Sequence, residues 1–402
     1  MLCNLCIGSA YAWSVFQGPL LQIFDWSPSQ AAITFTLILV MMPISMVIEG
    51  NVQAKKGPTF TLFLGGVLFG IGVFLAGFTT SLWHLYLTHG VLAGFGVGTV
   101  YSCAVSNTVR WFPDKRGLAS GLIAAGLGMG AFFFAPIGNM LIQSFGVLRA
   151  FNILGVIYLI LIIGSSFRVK APPTNYKPEG WEPPATAEIG VSMVNQSPRE
   201  MILDPMFYVL WILYVMGAVA GLMIIGHASP IGQKVIGLSV AQATGAVSIL
   251  SLANTSGRIF WGMVSDKLGR YVALAMLYAT SAASMFYLTT VTTFPSFIIS
   301  ICLVGLCFGG LLGIFPTIVA DMFGLKYLSQ NYGIMFSAFS MAGVIGPILA
   351  GKVVEASGGY NQAFVVAAVM GCIGIALTLI IQQQLKKRHS MANKKQPDSI
   401  SN

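Results

Sequence analysis

Twelve apolar stretches, each about as long as a bilayer-crossing helix, leave this chain almost no choice of environment. They fall at about 1–24, 30–49, 59–79, 86–109, 117–143 and 147–168, then at 204–228, 240–264, 271–291, 296–320, 328–351 and 361–385. Roughly 20 helical residues rising 1.5 Å each span the hydrocarbon core. With 56% of 402 residues hydrophobic and 8% charged, a soluble fold could not cover its surface. The expected fold is an all-α membrane protein with twelve transmembrane helices in two six-helix bundles.

The bundles are predicted at 1–168 and 204–385, joined by a linker at 169–203 and followed by a basic tail at 386–402. Pro172, Pro173, Pro178, Pro183, Pro184 and Pro198 keep the linker extended and solvated. The halves repeat. Gly57 and Gly269 close similar Lys-containing loops 212 residues apart, and Gly94 and Gly98 precede Gly305 and Gly309 by 211. A parallel tandem repeat of this kind characterises one class of secondary transporters.

Placing the linker and tail in the cytoplasm puts seventeen Lys and Arg inside and only Arg149, Lys234 and Lys352 outside. The chain is therefore expected in the plasma membrane, multi-pass, with both termini cytoplasmic. The same bias accounts for the net charge of +9, and no basic stripe or module points to nucleic acid. Met1 opens straight into the first span without a basic leader, so the natural start is expected upstream. The six cysteines lie in apolar segments without metal-ligand spacing and read as free thiols. Neither cofactor nor metal is expected, and no nucleophile–base pair suggests an enzyme. The expected partners are membrane lipid, a small organic carboxylate and a counter-anion, with the protein a monomer.

Arg258 is the one Lys, Arg, Asp or Glu deep inside an apolar span. It stands eight residues before Asp266, or about 12 Å of helix, near the bilayer midplane. A charge there costs about 2.5 to 3.5 kcal/mol, so it should face protein or a watery cavity and meet an anion. Thr244, Ser248, Ser251, Thr255, Arg258 and Gly262 share one helix face, with Asn254 a turn before Arg258. The planar fork of Arg suits a carboxylate through two charge-assisted hydrogen bonds. A structural anchor bonded to carbonyls is the alternative.

Small residues at four-residue spacing on the fifth helix (Gly117, Gly121, Ala125) and Gly346-Pro347 on the eleventh suit close packing or a rocking hinge. Glu49 and Asp321 read as helix-end partners of Lys55 and Lys326, and His84, His89 and His227 as interfacial residues. The loop Gly262-x-x-x-Asp266-Lys267-x-Gly269-Arg270 offers a conformational latch of charges. It resembles the signature loop of the major facilitator superfamily. Its first-half counterpart, Gly50-Asn-Val-Gln-Ala54-Lys55-Lys56-Gly57, departs from that pattern in having Ala54 for the acid, so a charge latch would be asymmetric.

Further stretches extend the resemblance over nearly the whole chain. Asn107-Thr-Val-Arg-Trp-Phe-Pro-Asp-Lys-Arg-Gly117, Tyr11-Ala-Trp13, Pro178-Glu-Gly-Trp181 and Asn254-x-x-x-Arg258 are similar to the oxalate:formate antiporter branch, which is related to monocarboxylate transporters. The resemblance implies an exchanger of small carboxylates working by alternating access. Its substrate residues would be Tyr11, Tyr101, Asn254, Arg258, Phe308 and Phe336. Where those exchangers carry a second cavity cation, this chain has Phe339, and Leu127 and Leu312 stand where tyrosines are expected. One cation favours a monoanion, with Phe339 counted among the substrate residues. Proton-linked symport is the alternative within transporters, although Asn254 cannot titrate; a carboxylate sensor that transports nothing is the alternative outside them.

Overall fold

The computed structural model describes residues 1–173, 176–178, 195–357 and 359–394. Among the described residues fourteen α-helices follow one another: α1 (Leu2–Gly8), α2 (Trp13–Ile23), α3 (Pro28–Ala76), α4 (Leu82–Leu85), α5 (Gly94–Trp111), α6 (Arg116–Phe145), α7 (Val147–Ser166), α8 (Pro198–Leu203), α9 (Pro205–Ile236), α10 (Val240–Leu268), α11 (Arg270–Leu288), α12 (Phe294–Phe323), α13 (Leu328–Ser357) and α14 (Asn361–Lys394). A 3₁₀ turn, Ser9–Ala12, joins α1 to α2, and a π-helical stretch, Tyr86–Ala93, joins α4 to α5. All twelve expected spans are helical, and no strand occurs among the described residues. The expected linker motif around Trp181 and the end of the tail lie outside them.

The repeat reappears in local structure. Ser27 and Ser239, 212 residues apart, cap α3 and α10 by accepting from the amides of Gln30 (3.2 Å) and Gln242 (3.3 Å). Each glutamine side chain returns a bond to the capping amide, at 2.9 and 3.1 Å. At the far ends Gly57 (φ 79°) and Gly269 (φ 89°) take a backbone conformation that L side chains rarely adopt. The same turn thus separates the two arms of α3 and separates α10 from α11.

Chain contacts define two compact units. The first gathers Met1–Trp111, Leu122–Thr174 and Ser329–Val344; the second gathers Phe112–Gly121, Asn175–Leu328 and Ile345–Asn402. In the first, α3 packs on α5 and α7, with Phe16 stacked on Phe151 at 4.8 Å and Phe69 beside Tyr158 at 5.2 Å. In the second, α10 lies on α12 and α11 lies on α14, around buried Met223, Leu250, Phe297 and Phe364. The first turns of α6 belong with α10, and the first half of α13 belongs with α3, because glycines there let backbones touch. Outward faces are apolar, as on α10, where Ile249, Leu252 and Phe260 are exposed. Among the described residues seven helices are long and apolar enough to cross a bilayer by themselves; α10 is less apolar because of its row of hydroxyls and its arginine.

The linker ends are tied down. Asn107 Nδ2 and Trp111 Nε1 of α5 donate to the carbonyl of Lys170, at 3.1 and 2.9 Å. At the other end, the amide of Gln196 donates to the Phe323 carbonyl (3.0 Å) and Asn195 Oδ1 accepts from the Lys326 amide (3.1 Å). The Asn-x-x-x-Trp motif is therefore a fastening for the chain after α7.

Candidate anion site and latch

Arg258 is 3% exposed. Ser248 and Ser251, on the same face of α10, are exposed, and Thr255 is half-buried, so the polar row runs from an open end to a buried guanidinium. Ser251 and Thr255 each donate to the carbonyl four residues back, both at 3.0 Å, which lets hydroxyls sit in an apolar helix without orphaned protons. Asn254 is half-buried, and its Oδ1 has no hydrogen-bond partner.

The backbone at Arg258 is held from two sides. A methyl group at Gly121 of α6 or at Gly313 of α12 would overlap the Arg258 carbonyl, and one at Gly309 would overlap that of Asn254. These glycines let three helices meet backbone to backbone. Ser120 Oγ adds a bond to the Gly313 carbonyl at 2.6 Å. Phe308 is buried next to Gly309 and lies over Gly221 of α9.

The predicted aromatic residues of the first unit come together in part. Tyr101, Phe336 and Phe339 are all buried; Phe336 stacks on Phe339 at 4.9 Å, and Tyr101 lies 5.9 Å from Phe336. Tyr332, which sequence reasoning missed, completes the cluster at 5.7 Å from Phe336 and 6.4 Å from Tyr101. Its spacing of four from Phe336 on one helix was the available signal. Tyr11 is half-buried and meets Phe35 edge-on at 5.8 Å.

Asp266 and Arg270 form a network richer than the motif suggested. Asp266 accepts from the amides of Gly117 and Leu118, both at 2.8 Å, and so caps α6 from another helix. Arg270 Nη1 donates to Asp266 at 2.5 Å and to Ser265 Oγ at 2.8 Å, while its Nε reaches Asp321 at 2.9 Å. Arg116 donates to the other oxygen of Asp321 at 2.6 Å. Lys267 is exposed and joins none of these bonds. Asp321 is thus a partner of Arg116 and Arg270 where Lys326 was expected, and Lys326 lies over the Tyr327 ring instead.

Two other expectations change. Glu49 is buried and makes no pair with Lys55, which is exposed. Six helical residues separate them, about 600° of turn, so they point to different sides. His89, read as interfacial, is 6% exposed and packed between Trp13 and Phe151, each 5.3 Å away. The π-helical stretch that carries it has no single-sequence signature here.

An all-α chain with twelve spans, a tandem repeat and a charged network between its eighth and ninth spans defines a polytopic membrane transporter. The chain belongs to the Major Facilitator Superfamily, whose sequence profile matches residues 1–292 and 233–401. It is 32% identical over 383 residues to the oxalate:formate antiporter of Oxalobacter formigenes, covering 95% of this chain and 89% of that one. It is 27% identical over 351 residues to monocarboxylate transporter 12 of Mus musculus, covering 82% and 71%. The fold is similar to that of the transporter FucP in its outward conformation, with a TM-score of 0.69 at 15% identity over 94% of this chain and 97% of the other.

Proposed function

We propose that this transporter exchanges small organic monocarboxylates by alternating access, with Arg258 holding the carboxylate. The observation that carries this reading is the buried guanidinium at the closed end of an otherwise open row of hydroxyls on α10. A carboxylate reaching Arg258 would gain two parallel charge-assisted hydrogen bonds. Asn254 would add a polar contact and Phe308 an apolar one from the same unit, and the resemblance to carboxylate exchangers adds Tyr11, Tyr101, Phe336 and Phe339 as proposed substrate residues. The names of the two relatives, one an oxalate:formate antiporter and one a monocarboxylate transporter, support a carboxylate as cargo.

One cation favours one negative charge. A dianion would bring an uncompensated charge into a poorly screened site, at a cost of several kcal/mol. The predicted orientation, with linker and termini cytoplasmic in the plasma membrane, completes the proposal. Counterflow in proteoliposomes with labelled formate, acetate, lactate, pyruvate and oxalate tests it. Monocarboxylates should exchange and oxalate should lag; oxalate exchanging as readily as formate or lactate would refute the one-charge argument.

A further inference from the structure

Glu49 in α3 is 2% exposed, and neither carboxyl oxygen meets a hydrogen-bond partner among the described residues. Polar groups nevertheless gather around it. Gln53, one turn on, accepts at Oε1 from Ser106 of α5 (2.9 Å) and Ser329 of α13 (2.7 Å). Its Nε2 is left without an acceptor, and Ser102 Oγ, beside Glu49, also lacks a partner. The charged and titratable side chains acting on Glu49 come from α5, Arg110 and the Cys103 thiol; α13 contributes the Ser329 hydroxyl.

A bare carboxylate buried this way costs several kcal/mol, whereas a protonated one is neutral and gains a donor among nearby oxygens. The cover over this group is the start of α13. Gln330 Nε2 donates to Asn51 Oδ1 at 2.7 Å, and Gly50, next to Glu49, lies against the Gln330 backbone. We propose that Glu49 is a proton-binding site: the first turns of α13 can pack on α3 only when Glu49 carries a proton, and their separation returns that proton to water. No other atom changes hands.

The test uses the full chain bearing Met335→Cys, a site fully buried on α13, with native Cys307 (1% exposed) as internal reference. Thiol labelling of the two cysteines is compared by mass spectrometry, without substrate, from about pH 5.5 to pH 8.5. The labelling ratio should be flat at low pH and then rise by up to about tenfold per pH unit as Glu49 ionises. Glu49→Gln, neutral throughout, should hold it flat. In counterflow, monocarboxylate exchange should fall at high pH in the parent and stay level in Glu49→Gln. A parent ratio that does not change with pH overturns the proposal even if Glu49→Gln fails to insert, and so does a Glu49→Gln protein that follows the parent's curve. The transport arm rests on the exchange reading and the labelling arm does not, so the two can fail separately.

Discussion

Replacing Asp266 with Asn removes one charge from a site where one carboxylate serves three donors. Those donors are the Gly117 and Leu118 amides and Arg270 Nη1, at 2.8, 2.8 and 2.5 Å. The Asp266 and Arg270 side chains are only 12% and 16% exposed, so screening discounts the loss modestly. A hydrogen bond to a charged group contributes about 1.5 to 3 kcal/mol and a neutral one about 0.5 to 1.5. Asn keeps one acceptor oxygen, so Asp266→Asn should weaken the seating of α6 on α10 by roughly 2 to 3 kcal/mol, a shift of roughly 30- to 140-fold in the open fraction. Labelling of Ala119→Cys, a 5% exposed position two residues past Gly117, reads that fraction when opening is fast. Its rate should rise by that factor in Asp266→Asn and by less than about twofold in Lys267→Gln, since Lys267 lies outside the network. Equal labelling in Asp266→Asn and its parent, or an equal rise in Lys267→Gln, would refute the reasoning.

Two further outcomes follow from the site. Arg258→Gln should abolish counterflow while the protein still inserts, and Arg258→Lys should keep only a small part, because an ammonium cannot copy the two-pronged contact; full exchange by Arg258→Gln would move the carboxylate elsewhere. Phe339→Lys should weaken monocarboxylate exchange and raise oxalate binding, a gain lost when Arg258→Gln is added. Phe339→Met, which keeps apolar packing on Phe336, should show neither change.

The spans, the repeat and the burial of Arg258 were legible because each is local. An apolar run of twenty residues, a glycine recurring after 212, and one cation in a greasy helix need no partner to be seen. The charge network at the turn between α10 and α11 was half legible. Asp266 and Arg270 are four residues apart on the chain, but Asp321 lies 51 residues from Arg270 and Arg116 lies on another helix, so nothing nearby marked them as partners. Glu49 was misread for a related reason. Assigning it to a loop with Lys55 presumed that the helix ended at Gly50, whereas α3 stays helical until Gly57 and carries the lysine round to another side. His89 shows the limit of depth counted along an ideal helix, since a π-helical stretch changes both rise and facing.

Gly121 and Gly313 bear on the carbonyl of the very residue whose side chain is the candidate anion holder. Mechanically, the guanidinium is mounted at a pinned joint. A pull on it does not slide α10 alone; it loads α12 and the first turns of α6 together, and those turns end in the Asp266 clamp. Compliance is removed where force enters and retained at the charged fastening about 12 Å along the helix. Softening the joint should blur the message before it weakens the grip.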